Sequence, residues 1–192
     1  MNKIDIDENI IYIEDFISKD HLDLFIDKIN SNSRIEDYGH PVHLTLKVDQ
    51  RDAVNLWFEY IEKLKVMLES TTRKIKISST EEIDFTKYRD FPLEISDSPS
   101  SEYLMLPHQD DASYDLEEDQ KGPTFVSHGI VIFITDDFEG GEIVYVNKDI
   151  SIKPKAGSLL VHPGNIEYAH AVNKFYNGER IIYASFVHED RK

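Results

Sequence analysis

The stretch GIVIFITDDFEGGEIVYVNKDISIKPKAGSLLVHPGNIEYAHAV, residues 129–172, decides the fold. It breaks into short runs of β-branched and aromatic residues at 129–135, 142–146, 150–153, 158–162 and 167–172. Each run is too short for a helix, and turn residues stand between them: Gly140-Gly141, Lys155-Ala156-Gly157 and Pro163-Gly164. The same character extends outward, to runs at 82–89 and 102–107 upstream and 180–188 downstream, with turn signals at Asp97-Ser98-Pro99 and Asn177-Gly178. Many short strands with regular turns predict a sandwich or barrel.

Further upstream the period changes. Residues 9–16, NIIYIEDF, read as a strand, and Ser18 can cap a helix whose apolar face is Leu22, Phe25, Ile26 and Ile29. A second helix over roughly 50–70 carries the stripe Val54, Trp57, Phe58, Ile61, Leu64 and Leu68. These stripes are packing faces. Two helices placed ahead of an antiparallel double sheet would brace one of its outer faces. The expected fold class is mainly β (α+β), in one domain over 1–192: a helical portion over about 1–80 and a β core over about 82–190.

Bulk properties narrow the function. The chain has 192 residues, 40% of them hydrophobic and 11% aromatic, enough for a sizeable core. It has no cysteine, which excludes disulfides, zinc-thiolate sites and thiol nucleophiles and fits a reducing compartment. The longest apolar runs, such as Ile130 to Ile134, fall far short of a membrane-spanning helix. The opening MNKIDIDENI lacks the pattern of a secretory signal, so a cytoplasmic protein is expected. A net charge of −16 argues against nucleic-acid binding; it keeps a chain soluble, which is the plainer reading, and it also suits a cationic small-molecule or peptide substrate.

The motif that carries chemistry is His-x-Asp. Residues i and i+2 of a strand point the same way, so a His-x-Asp at a strand end can present two ligands to one ion. Iron sites that keep one face open commonly use two imidazoles and one carboxylate. The triplet occurs three times, as His21-Leu22-Asp23, His108-Gln109-Asp110 and His188-Glu189-Asp190. The first falls in the expected helix, where i and i+2 diverge by about 200°. The third has no later histidine to complete a set. The second ends a strand and has His170, in EYAHAV, downstream. Ten residues on stands Arg180, in NGERIIYASF, across a turn at Asn177-Gly178 that reads as a hairpin. That spacing places His170 and Arg180 on neighbouring strands facing one interior, where the arginine can grip a distal carboxylate.

The ordered set His108-x-Asp110, His170 and Arg180 resembles the prolyl-4-hydroxylase-type branch of the 2-oxoglutarate/iron(II) oxygenases. IVIFITDDFEGGEIVYV, residues 130–146, is similar to that branch's strand, acidic turn and Gly-Gly-Glu element. IKPKAGSLLVHPGNIEYAHAV, residues 152–172, is similar to the approach to its distal histidine, and IIYIEDFISKDHLDLFIDKI, residues 10–29, to its N-terminal strand and helix. The resemblance implies a double-stranded β-helix (jelly roll) with the metal at its mouth. It implies His108, Asp110 and His170 as iron(II) ligands and Arg180 as the residue on the C5 carboxylate of 2-oxoglutarate. Tyr88, in FTKY, resembles a tyrosine that contacts the co-substrate, with Tyr103 as the alternative because 91–101 reads as an insertion. Phe133 stands where relatives can carry a second co-substrate tyrosine. The implied reaction consumes O2 and 2-oxoglutarate, releases succinate and CO2, and hydroxylates a prolyl residue, proline or another amino-acid side chain, with ascorbate as a reductant.

Other residues read more plainly. His162 is either a neighbour of the metal ligands or a barrel-edge residue, and the edge is the reading adopted here. His40 and His43, in GHPVH, read as loop residues, and His128 carries no signal. The acidic segment DDASYDLEED, residues 110–119, is either a lid that attracts a cationic substrate or a solvated loop. Asp111 should point away from Asp110. No separate acid–base residue is nominated. The competing readings are a cupin-like metalloprotein that does not use 2-oxoglutarate and a non-catalytic jelly-roll binding domain.

Overall fold

A computed structural model describes residues 2–31, 42–45, 51–70, 84–89, 102–117 and 120–191. In chain order the elements are β1 (Asn2–Asp7), β2 (Ile10–Glu14), α1 (Lys19–Ser31), β3 (Val42–Thr45), α2 (Arg51–Ser70), β4 (Asp84–Arg89), β5 (Tyr103–His108) and β6 (Thr124–Phe133). There follow β7 (Glu139–Gly140), β8 (Ile143–Tyr145), β9 (Ile150–Ile152), β10 (Leu159–Pro163), β11 (His170–Asn173), β12 (Phe175–Tyr176) and β13 (Glu179–Asp190). A seven-stranded sheet has the order β1-β2-β10-β6-β13-β4-β3, and a four-stranded sheet the order β5-β11-β8-β9. Every pairing is antiparallel. The two sheets face each other as the jelly roll that the resemblance implied.

Period-2 alternation gives each strand of the larger sheet two tasks. On β13, Ile181 and Tyr183 face outward to the helices while Ile182 faces inward; on β10, Leu159 and Val161 face outward and Leu160 inward. Ile130 and Ile132 of β6 and Phe85 of β4 join the outer set, and Phe133 and Tyr88 the inner one. Strands buried on both faces read as unbroken apolar runs, which is why 129–135 shows no alternation in sequence.

The outer face is closed by α1, through Leu22, Phe25 and Ile29, and by α2, through Ala53, Trp57, Tyr60, Ile61, Leu64 and Leu68. Trp57 is its centre, with edge-on ring contacts to Phe85 at 4.9 Å, Tyr183 at 5.0 Å and Phe25 at 5.2 Å. Burying each such large apolar side chain contributes about 1.5–3 kcal/mol. The Ser18 carbonyl accepts the Leu22 N–H at 2.9 Å, so Ser18 stands at the N-cap position expected of it. At the entry to α1, Gly157 (φ 78°) lets the chain turn where a Cβ would lie 2.7 Å from the Ile17 carbonyl oxygen.

The structure departs from the sequence reading in three places. β1, β3, β7 and β12 were not expected. β1 is a largely exposed edge strand bearing Lys3 and Asp5, charges of the kind that discourage edge-to-edge pairing. The run at 167–172 divides into a 3-10 turn at Ile166–Tyr168 and the start of β11. The turn at Asn177-Gly178 does not close a hairpin: β12 pairs with β7, whereas β13 lies between β6 and β4, so the chain crosses here between sheets. His40, the turn at Asp97-Ser98-Pro99 and the segment 91–101 lie outside the described residues.

Candidate metal centre and cavity

His108 ends β5 and His170 begins β11, and the two are register partners. Their rings stand 4.5 Å apart. Asp110 follows the strand end, held by the bond from the Asp111 N–H to the Gly164 carbonyl at 2.9 Å. One ligand atom from each of His108, Asp110 and His170 lies within 4.8 Å of the others. The two imidazoles are oriented by backbone. His108 Nδ1 faces the Leu106 carbonyl at 2.8 Å, and His170 Nδ1 faces the Tyr168 carbonyl at 3.2 Å. A carbonyl only accepts, so each Nδ1 carries the proton and each Nε2 keeps its lone pair for an ion.

Electrostatics point the same way. Burial pushes the Asp110 carboxyl up to about 6, against a smaller pull downward from His108. Burial, assisted by His108, pushes His170 down to about 4. Asp110 Oδ2 is buried without a hydrogen-bond partner. A cation bound among these groups would relieve all three strains. Two imidazole nitrogens and a carboxylate suit iron(II) with positions left open.

A cavity of about 130 Å³ runs from this cluster to Arg180. At roughly 10–15 Å³ per water-sized group, it holds about ten non-hydrogen atoms. Val131, Ile143, Val172 and Ile182 contribute its apolar wall. Arg180 is 2% exposed, and burial lowers its pKa to about 10. Its guanidinium lies 5.4 Å from the centre of the Tyr88 ring and 5.9 Å from that of Phe133. Its Nε has no hydrogen-bond partner, and among the described residues no carboxylate is paired with it. On the same strand face, Ile182, Ala184 and then the exposed Phe186 lead outward, so the cavity opens at the Phe186 end.

Tyr88 is the register partner of Arg180 and lines the cavity. Tyr103, its alternative, pairs with Asn173 at the other end of β5 and is not among the lining residues. His170 and Arg180 do not lie on neighbouring strands; they stand on opposite sheets and face one interior. The crossover through β12 is the reason. His21 bonds Tyr60 at 2.8 Å while Asp23 pairs with Lys19 at 3.0 Å, so the helical triplet is split as expected. Asp111 turns away from the cluster to cap the 3-10 turn Ala112–Asp115.

His162 requires a correction. It is not an edge residue: it is 1% exposed, its ring is 4.6 Å from that of His170, and its Nε2 lies 3.7 Å from Asp110 Oδ2. Its parity with Leu160 on β10 turns it inward. Gly129, opposite His162 in register, was also missed; a Cβ there would lie 2.2 Å from Asp110 Oδ2.

The fold is the jelly roll seen in solved 2-oxoglutarate/iron(II) oxygenases, and His108, Asp110 and His170 form a His-x-Asp…His cluster on it that could hold a metal ion. Prolyl hydroxylases are among the solved structures that share this fold over nearly the whole chain. The viral collagen prolyl hydroxylase of Paramecium Bursaria Chlorella virus-1, solved with 2-oxoglutarate, matches with TM-score 0.66 and 16% identity over 94% of this chain and 96% of its own. A prolyl-4-hydroxylase of Pseudomonas putida matches with TM-score 0.63 and 13% identity over 98% and 96%. In sequence, 87 residues are 32% identical to prolyl 3-hydroxylase 2 of Rattus norvegicus, covering 40% of this chain and 12% of that protein. The chain thus spans about an eighth of the length of that curated relative. No protein-family model matches the sequence. No helix among the described residues is long and apolar enough to cross a membrane.

Proposed function

We propose that this chain is an iron(II)- and 2-oxoglutarate-dependent hydroxylase acting on a prolyl residue, proline or another amino-acid side chain. One observation carries the reading: a single cavity joins the three-residue metal cluster to a buried guanidinium without a carboxylate partner among the described residues. A buried, unpaired charge is costly, and a dianionic ligand reaching from cluster to arginine removes that cost. 2-Oxoglutarate has about ten non-hydrogen atoms, which fits the cavity estimate above.

His108, Asp110 and His170 hold the ion, the imidazoles through Nε2. Ferrous iron so held supplies dioxygen activation coupled to the decarboxylation of 2-oxoglutarate to succinate and CO2, and hydroxylation of an unactivated C–H bond. Arg180 takes the far carboxylate in a charge-assisted pair, and Tyr88 flanks it. The apolar wall keeps water from the reacting centre. The substrate enters past Ala184 and Phe186. The negative surface favours a cationic amino acid or peptide, in a cytoplasmic setting, with ascorbate maintaining the ferrous state.

The test is succinate release from 2-oxoglutarate with ferrous iron and ascorbate, followed by mass spectrometry of peptides and amino acids for addition of one oxygen. Turnover abolished by Arg180→Met and His170→Ala is expected. Stoichiometric metal binding without any 2-oxoglutarate binding or turnover would favour a cupin-like metalloprotein instead.

A further inference from the structure

Asp110 Oδ1 is turned toward His170, 4.0 Å from its Nε2, while Oδ2 is turned toward His162, 3.7 Å from its Nε2. Oδ2 is the oxygen that lacks a hydrogen-bond partner. A buried carboxylate oxygen in this position is unfavourable until a donor reaches it. His162 is poised to be that donor, since a movement of under 1 Å would bring Nε2 and Oδ2 to hydrogen-bond distance.

The backbone makes this approach possible. Opposite His162 in register stands Gly129, where a Cβ would meet Asp110 Oδ2 at 2.2 Å and His162 Nε2 at 2.9 Å. Any other residue would fill the space in which the carboxylate and the imidazole meet. A neutral imidazole carries one ring proton, and His162 Nδ1 is buried without a hydrogen-bond partner, so Nε2, the nitrogen that faces Asp110 Oδ2, is where the proton finds an acceptor. His162 stands outside the group whose ligand atoms cluster around one point, which separates its role from that of a ligand.

We propose that His162 is a positioning residue for the metal centre: its Nε2–H donates to Asp110 Oδ2, leaving Oδ1 as the ligand atom, and Gly129 provides the room. This rests on the metal-centre reading above. Partners of this kind commonly govern 10–100-fold in metal affinity.

The experiment is anaerobic titration of the full chain with cobalt(II), read by absorption and calorimetry, for wild type, His162→Gln, His162→Asn and His162→Phe. The glutamine amide nitrogen reaches the place of Nε2; that of asparagine falls at the place of Nδ1. The phenylalanine and asparagine variants should bind cobalt(II) about 10–100-fold more weakly, and glutamine should retain most of the wild-type affinity. Equal affinity of the Asn and Gln variants, or a Phe variant that binds like wild type, overturns the proposal. If the Phe variant fails to fold, the Asn–Gln comparison decides alone. Wild type that takes up no stoichiometric cobalt would instead overturn the metal-centre reading, and this inference with it.

Discussion

Replacing Arg180 with methionine should stabilise the metal-free protein while removing its response to 2-oxoglutarate. Burial holds the guanidinium pKa near 10 rather than 12.5, a penalty of about 3 kcal/mol at about 1.4 kcal/mol per tenfold change in proton affinity. The contacts with Tyr88 and Phe133, at 5.4 and 5.9 Å, return about 0.5–1 kcal/mol each. Methionine fills much of the same volume without the charge, so a net gain of about 1–2 kcal/mol follows, or roughly 2–8 °C in Tm. Wild type with manganese(II) and 2-oxoglutarate at a hundred times its Kd should gain about 2.7 kcal/mol, or roughly 5–11 °C. The variant should gain nothing from 2-oxoglutarate. Differential scanning fluorimetry on both proteins, with and without metal and ligand, reads each number. A variant that melts well below wild type would show that the charge is already satisfied within the fold. A preserved 2-oxoglutarate shift would remove Arg180 from the site.

The same logic extends to the other residues of the site. Asp110→Asn should stabilise the metal-free protein by up to about 3 kcal/mol at pH 8, because the carboxyl is raised from 3.8 to about 6. The wild-type penalty is present above the folded value and fades as pH falls through 6 toward 3.8, so urea melts should show the advantage shrinking over that range. Metal affinity should fall about tenfold per pH unit below about 6, one proton competing at Asp110; His170, near 4, should add no dependence above that value. Gly129→Ala should cost about 1–3 kcal/mol by overpacking and weaken cobalt(II) binding. Trp57→Ala, at a fully buried position, should cost about 3–5 kcal/mol by urea denaturation followed by circular dichroism.

The three-residue cluster was legible because its members stand at strand ends, where spacing and turn signals can be read. His108 and Asp110 bracket a strand end, and the helices announced themselves by their apolar stripes. Arg180 was found on the correct interior but by way of the wrong geometry. Asn177-Gly178 has the composition of a hairpin turn, and only the pairing of β12 with β7 shows that the chain changes sheet there. His162 was misjudged because LLVHP is buried on both faces and shows no alternation. Its inward direction follows from the parity it shares with Leu160, which burial in sequence alone does not reveal. Gly129 left no signal of its own: its meaning is the distance to a carboxylate that lies 19 residues earlier (129 − 110) in the chain. β1 and β3 are edge strands, for which propensity is a weak guide.

The larger sheet turns its odd and even residues to different trades, one layer holding up the scaffold and the next handling reactants. A deletion of one residue within β13 would swing Ile181 into the chamber and send Arg180 among the greasy rings beneath α2. Such a lineage cannot retune its chemistry by sliding strands. New appetites for substrate must be acquired at the rim, around Phe186 and the connecting loops, while the chamber behind it stays locked in phase with the helices that carry it.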